Sequence, residues 1–260
     1  MDHTDASAIT AAARRLAAAW NGHTLLDELP PAERPATLDA AYAIQRRLQE
    51  ELGEASAGWK IGGASVNGLR ASPSGQPVFG FLRGSCVYES GAVLALPPGG
   101  VVLEVEIAVR FGSQVEPASM PFEPAMIDRA YVAIEAVRSR FRDRKAVGQP
   151  SFLADDAGFH AFVRGDELPG GAQSPVFGEA ASLSRDGVPI ARPLGGDDGT
   201  DPLAALRLFW EHAASQRLVV PAGAFVTTGT QTVPTDATQD GAYEGSIGGH
   251  VVRLHLRRQP

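Results

Sequence analysis

Apolar residues recur at helical spacing at the start of the chain. In residues 6–20 (ASAITAAARRLAAAW), Ile9, Ala13, Leu16 and Trp20 fall on one face, which predicts an amphipathic helix, and alanine, the best helix former, fills the rest. Leu29–Thr37 carries three prolines and should break the chain path. A second helix is expected after it, with Thr37 as cap, Ala41, Ile44, Leu48 and Leu52 as its stripe, and Gly53 as its end. From Gly58 the pattern shifts to short apolar runs between Gly, Pro and Ser clusters. These predict strands at Gly58–Ile61, Ser85–Tyr88, Val101–Phe111, Val132–Val137, Ala224–Thr228 and His250–Leu256. Two helices are expected among them. One is Phe152–Arg164. The other has Asp201 as cap and Pro202 at its first position, and buries Leu203, Leu206, Phe209 and Trp210. The expected architecture is α+β, with a helical N-terminal subdomain over 1–57 and a strand-dominated domain over 58–260. A βαβ nucleotide-binding sheet is not indicated. Arg192–Pro202 (RPLGGDDGTDP) reads as a flexible loop and a candidate lid.

Composition narrows the function classes. A chain of 260 residues with 44% apolar residues can bury on the order of 70% of its unfolded surface. A charged fraction of 20% argues against wholesale disorder. The formal charge of -7 and the lack of basic runs interleaved with aromatics argue against nucleic acid as a partner. Cys86 is the only cysteine, so no intramolecular disulfide can form. Met1–Thr10, with Asp2 and Asp5 and no apolar run, does not read as a signal peptide. No stretch reaches the roughly 18 apolar residues of a membrane span. The expectation is a cytoplasmic protein with no membrane partner.

The run Val101–Phe111 (VVLEVEIAVRF) carries the candidate chemistry. Strand alternation puts Glu104, Glu106, Ala108 and Arg110 on one side and Leu103, Val105, Ile107 and Val109 on the other. The two glutamates then stand about 6.6 Å apart at Cα. Two like charges in so apolar a run repel and are costly to bury. A hard divalent cation offsets that cost; an exposed strand face paired with arginines is the alternative. Glu135, in YVAIEAV, is a third such carboxylate, with pairing to Arg138 or Arg140 as its alternative. Three carboxylates suit Mg²⁺ or Mn²⁺ rather than zinc. Lys60, between Trp59 and Ile61 and before two glycines, is a candidate acid/base or anion anchor, or an ordinary surface lysine. The histidines His3, His23, His160, His212, His250 and His255 have no partner at metal or triad spacing, and no GxSxG motif is present. Thr227–Thr232 (TTGTQT) is a hydroxyl-rich turn around Gly229.

Seven short segments, in order, resemble the 2-hydroxypenta-2,4-dienoate hydratase / 4-oxalocrotonate decarboxylase branch of the fumarylacetoacetate hydrolase superfamily. They are DAAYAIQ (Asp39–Gln45), WKIGGAS (Trp59–Ser65), QPVFGFL (Gln76–Leu82), LEVEIA (Leu103–Ala108), AIEAVRSR (Ala133–Arg140), ADDAGFHAFVRG (Ala154–Gly165) and TTGTQTVP (Thr227–Pro234). The resemblance implies a β-roll core with an N-terminal helical cap, and Mg²⁺ (or Mn²⁺) on Glu104, Glu106 and Glu135. It implies a Mg-dependent hydratase, adding water to a 2-hydroxydienoic or 2-oxo-enoic acid in aromatic-compound catabolism. Lys60 would assist proton transfer, and Thr232, Ser65 and Asp155 would bind substrate. A homo-oligomer is implied as well. A decarboxylase, an acylpyruvate-type C–C hydrolase and a non-catalytic 2-oxo acid binder are the competing readings. The sequence departs from the branch at three places: Gly75 stands where hydratases often carry Asp, Asp156 where the motif has Asn, and Arg138 where it has Asp.

Overall fold

The computed structural model describes residues 6–258; Met1–Asp5, including His3, lie outside the described residues. The first helix, α1, spans Ala6–Asn21 and turns Ala13 and Leu16 inward. It packs on α2, Leu38–Leu52. Thr37 Oγ1 accepts the Ala40 N–H at 3.2 Å, and Gly53 closes the helix in the left-handed conformation at φ 68°, as the sequence signals required. The remaining elements are β1 (Ser56–Gly62), α3 (Val66–Ala71), β2 (Val78–Arg83), β3 (Val87–Glu89), β4 (Ala92–Leu96), β5 (Val101–Phe111) and β6 (Ile127–Val137). They continue with α4 (Gly148–Ala154), β7 (Phe159–Leu168), β8 (Ala181–Arg185), β9 (Val188–Ala191), α5 (Pro202–Ser215), β10 (Phe225–Thr230), β11 (Thr235–Ala237), β12 (Gly241–Ile247) and β13 (His250–Arg258). No helix among the described residues is long and apolar enough to cross a membrane.

Two sheets form the α+β core. The larger has the order β2-β1-β10-β5-β6-β7-β3, with β11 also paired to β5. Only β1–β10 and β3–β7 are parallel within it. The smaller has the order β4-β13-β12-β8-β9. The main apolar cluster holds Leu103, Val105, Ile107, Val132 and Ile134 from the large sheet together with Leu183, Val252 and Leu254 from the small one. The second cluster, Leu82, Ala108, Ala133, Phe159 and Phe162, lies on the opposite face of β5 and β6. The large sheet therefore has one face against the rest of the core and a second face that it encloses itself. Of the charged groups on that second face, Glu106 and Glu135 have no access to water.

The chain departs from the expected elements at one informative place. Phe152–Arg164 is not a helix. Helix α4 ends at Ala154, a short 3-10 turn covers Asp156–Gly158, and the chain then extends as β7. Asp156, Ala157 and Gly158 have φ of 54°, 48° and 71°, a left-handed run that no α-helix can continue. The strand that follows is buried on both faces, Ala161 and Val163 in the main cluster and Phe162 in the enclosed one. Its sequence therefore lacks the period-2 alternation of a half-exposed strand. A smaller correction concerns Ser85–Tyr88. Gly84–Cys86 is a 3-10 turn and only Val87–Glu89 pairs. The Arg192–Pro202 loop is pinned at both sides, by Asn67 to Asp198 at 2.8 Å and Arg70 to Asp197 at 2.9 Å, and by a bridge from Pro193 to Thr232.

Candidate metal centre

Strand register brings the three glutamates together. Glu104 lies directly opposite Glu135 across the β5–β6 pair, and Glu106 lies opposite Ala133. All three carboxylates offer an oxygen within 4.8 Å of the others. Glu106 and Glu135 are fully buried, and Glu104 is half-buried. Lys60 reaches the same face because β1 pairs with β10, which pairs with β5, placing Lys60, Thr227 and Ala108 in one row. Its Nζ lies 2.6 Å from Glu135 Oε1 and donates to Ala157 O at 3.2 Å. Neither Arg138 nor Arg140 partners Glu135: Arg140 is bound to Asp155 at 2.6 Å.

The electrostatics of this cluster are unbalanced. Burial, then the neighbouring carboxylates, push the Glu106 carboxyl well above the ordinary glutamate range, and burial raises Glu135 despite Lys60 beside it. Burial alone would lower Lys60, but Glu135, Glu104 and Glu106 together hold its ammonium above its usual pKa. Three carboxylates and one ammonium leave a formal charge of minus two. Glu106 Oε1 and Glu135 Oε2 are buried with no hydrogen-bond partner. Unsatisfied buried carboxylate oxygens are expensive. Oxygens within 4.8 Å of one another are close enough to converge on one hard divalent cation with six oxygen ligands. The donor set thus fits Mg²⁺ or Mn²⁺.

The surroundings orient the ligands. Between β5 and β10 the register slips by one residue at Thr227–Thr230, a β-bulge of the kind that re-aims groups beside active sites. Gly229 takes φ 98° there and donates its N–H to Glu106 Oε2 at 3.0 Å. The TTGTQT segment is therefore a bulged strand end rather than a plain turn. The sequence contained the signal, a glycine amid β-branched residues, but not the partner of its N–H. Beyond the bulge, Thr232 is fully buried and its Oγ1 accepts the Val105 N–H at 3.3 Å, leaving its hydroxyl proton to donate elsewhere.

Two of the expected substrate contacts have other partners. Ser65 Oγ accepts the Gly68 N–H at 3.1 Å and caps α3. Asp155 is fully buried and is held by Arg140 Nε at 2.6 Å and by Ser139 Oγ and Arg140 N, each at 2.7 Å. It is the counter-ion of a structural arginine. The neighbouring Asp156, at the place of the motif's Asn, accepts the Phe81 N–H at 2.7 Å. Burial raises its pKa to about 7 against the lowering effect of that hydrogen bond. Its turn presents Ala157 O to Lys60, a role that sequence spacing did not reveal. Gly75, in the left-handed conformation at φ 67°, closes a turn back to Ser72. Among the described residues no histidine joins the cluster: His160 is tilted against Trp20 and His212 lies between Tyr42 and Phe79.

The chain is similar to known proteins in sequence and in fold. Over 167 residues the chain is 32% identical to a 2-hydroxyhexa-2,4-dienoate hydratase of Comamonas testosteroni, a match covering 61% of this chain and 63% of that relative. No family model matches. The fold is similar to that of 4-oxalocrotonate decarboxylase from Pseudomonas putida G7, solved with calcium and acetate and with magnesium and adipate. In both forms the TM-score is 0.83, the identity 19%, and 97% of this chain and 98% of that one are covered. Fumarylpyruvate hydrolase from Pseudomonas aeruginosa, in complex with Mn²⁺ and pyruvate, is more distant: TM-score 0.53, 18% identity, 77% of this chain and 89% of that one. The fold is the one shared by these solved structures, and the 167-residue match to the hydratase agrees with the resemblance carried by the seven motifs.

Proposed function

We propose that this chain is a divalent-metal-dependent lyase of the hydratase–decarboxylase branch, and that it hydrates a 2-hydroxydienoic or 2-oxo-enoic acid such as 2-hydroxypenta-2,4-dienoate. The carrying observation is the buried cluster of Glu104, Glu106 and Glu135 with Lys60 Nζ 2.6 Å from Glu135. Glu104, Glu106 and Glu135 would hold Mg²⁺ or Mn²⁺. When bound, the ion supplies Lewis-acid polarisation to a 2-oxo acid head group. The chain's own residues do the rest. Lys60 Nζ, fixed between Glu135 and Ala157 O, holds or delivers a proton at the edge of the cluster. Thr232, whose Oγ1 accepts the Val105 N–H and keeps its own proton to donate, would bind a substrate carboxylate. The Gly229 N–H keeps the Glu106 carboxylate oriented. Burial excludes bulk water from all but the Glu104 side.

Hydration is favoured over decarboxylation by the 32% identity to a dienoate hydratase. Decarboxylation remains the second reading because of the fold likeness to 4-oxalocrotonate decarboxylase. A C–C hydrolase and a binder without catalysis are less favoured: among the described residues no histidine stands at the cluster, and the lysine is kept. The reading carries with it a cytoplasmic, self-associating enzyme of aromatic-compound breakdown. With Mg²⁺ present, 2-hydroxypenta-2,4-dienoate should lose its ultraviolet dienol absorbance without release of CO₂. Carbon dioxide release from 4-oxalocrotonate, with no turnover of the dienoate, would transfer the assignment to the decarboxylase. Inactivity on both, at full metal loading, would remove the lyase reading.

A further inference from the structure

A cavity of about 830 Å³ lies away from the carboxylate cluster. It opens between α1, the Leu96–Gly100 turn before β5, and the ends of β6 and β7. Ala161 lines it and belongs to the main apolar cluster, whereas the next residue, Phe162, belongs to the enclosed face that carries Glu135. Trp20 and Cys86, which pack against the enclosed cluster, also line it, so the cavity sits at the sheet end where both clusters meet, and none of Lys60, Glu104, Glu106 or Glu135 is in its wall. No aspartate or glutamate is among its lining residues, although the chain carries a formal charge of -7.

Its cations are unequally committed. Arg140 is neutralised by Asp155 at 2.6 Å. Arg258 is mostly exposed and loosely held, 3.8 Å from Asp240. Arg138 is half-buried and makes one long hydrogen bond, 3.4 Å to Pro98 O, with no ion pair among the described residues. Burial, then the nearby Arg140, pull the Arg138 pKa down against a smaller opposing pull from Asp155. Aromatic side chains flank it: Trp20, whose ring carries the Arg140 and Arg83 guanidiniums at 4.0 and 4.4 Å from its centre, Tyr88, and His160. Burial, then Arg140 and Arg138, hold the His160 pKa down at about 3. That ring is therefore neutral near pH 7 and offers a flat polar face rather than a charge. Arginine recognises carboxylates through its planar fork and stacks on aromatic faces.

We propose that this cavity is a second ligand site, separate from the metal centre, for a flat organic anion: a carboxylate carried on an aromatic or conjugated body. Arg138 takes the carboxylate and Trp20 and His160 flank the body.

Titration calorimetry on the full chain in chelator tests the site, because the metal centre then cannot bind the probe. Benzoate is the probe; cyclohexanecarboxylate and inorganic phosphate are the comparators. Benzoate should bind at least about fivefold tighter than either. Arg138→Gln should weaken it about tenfold, the effect of losing one charge-assisted contact, while Arg138→Lys keeps part of the affinity. The Mg²⁺-induced rise in thermal midpoint should be the same in all three proteins. Equal benzoate affinity in the parent and Arg138→Gln would overturn the proposal. So would phosphate binding as tightly as benzoate, or no benzoate heat at about 10 mM. A failure of the lyase assay leaves this test untouched, and the reverse also holds.

Discussion

Lys60 illustrates how burial turns an ordinary residue type into a constrained one. Its side chain is 4% exposed and its ammonium faces Glu135 at 2.6 Å. Removing one partner of such a pair leaves a buried charge uncompensated, at a cost of about 3–5 kcal/mol. Lys60→Met should therefore lower turnover by about 10²-fold or more and also lower the thermal midpoint of the metal-free protein. Part of that midpoint should return on adding Mg²⁺, because the cation compensates the orphaned carboxylate. A variant with full activity would remove Lys60 from the chemistry. Asp156 gives a pH-dependent counterpart. Its folded pKa, raised to about 7 by burial, lies above the unfolded aspartate value of about 3.9. The native state thus holds a proton that the unfolded state has lost. The resulting stability is complete below the unfolded pKa and disappears as pH rises through 7. Asp156→Asn keeps an oxygen for the Phe81 N–H but does not titrate. Relative to the parent, it should gain stability steadily from about pH 4 to pH 7 and then level off. Denaturant unfolding across that range measures the slope, and a flat difference would show that Asp156 is ionised in the fold.

At the scale of elements, the site depends on how closely β2, β1 and the 156–158 turn approach one another. Gly80 sits where a Cβ would come 2.7 Å from Asp156 O and 3.0 Å from Lys60 Cγ. The backbone oxygen cannot move without disturbing the turn that holds Lys60 through Ala157 O. Gly80→Ala should cost about 1–3 kcal/mol by overpacking and reduce turnover beyond what the stability loss explains. Gly75→Ala is the control at a glycine with no neighbour within 4 Å. It carries backbone strain from φ 67° but no contact with the site. A comparable loss of turnover in both would mean that the crowding at Gly80 is not what positions Lys60.

For the whole molecule, the metal centre is a load placed on folding. Buried carboxylates that repel one another destabilise the metal-free protein, and a ligand that binds only the folded state adds stability by mass action. Mg²⁺ should raise the thermal midpoint. Oxalate, as a mimic of the 2-oxo acid head group, should raise it further only when Mg²⁺ is present. Glu106→Gln should reduce the metal increment, and with it the oxalate increment. Equal oxalate affinity with and without chelator would separate head-group binding from the glutamates altogether.

Local pattern was enough to place Glu104 and Glu106 on one side of a strand, because side-chain alternation is a property of the extended backbone itself. It was enough for the Thr37 cap, the Gly53 end and the Asp201–Pro202 start, where the groups that satisfy the backbone lie within a few residues. The seven motifs carried the fold and the glutamate triad together. Tertiary structure decided whatever depended on distant partners. It turned Phe152–Arg164 from a helix into a turn and a strand, because β6 has an open edge for β7, and because Arg140 and the Phe81 N–H take the carboxylates of Asp155 and Asp156. It gave Lys60 rather than Arg138 or Arg140 to Glu135, since β1 reaches β5 only through β10, which lies more than 160 residues further along the chain. It freed Arg138 to line a cavity with no acid in its wall. A charge has a sign in the sequence, but its partner and its exposure to water are set by packing, and those two decide whether it binds, reacts or only holds the fold.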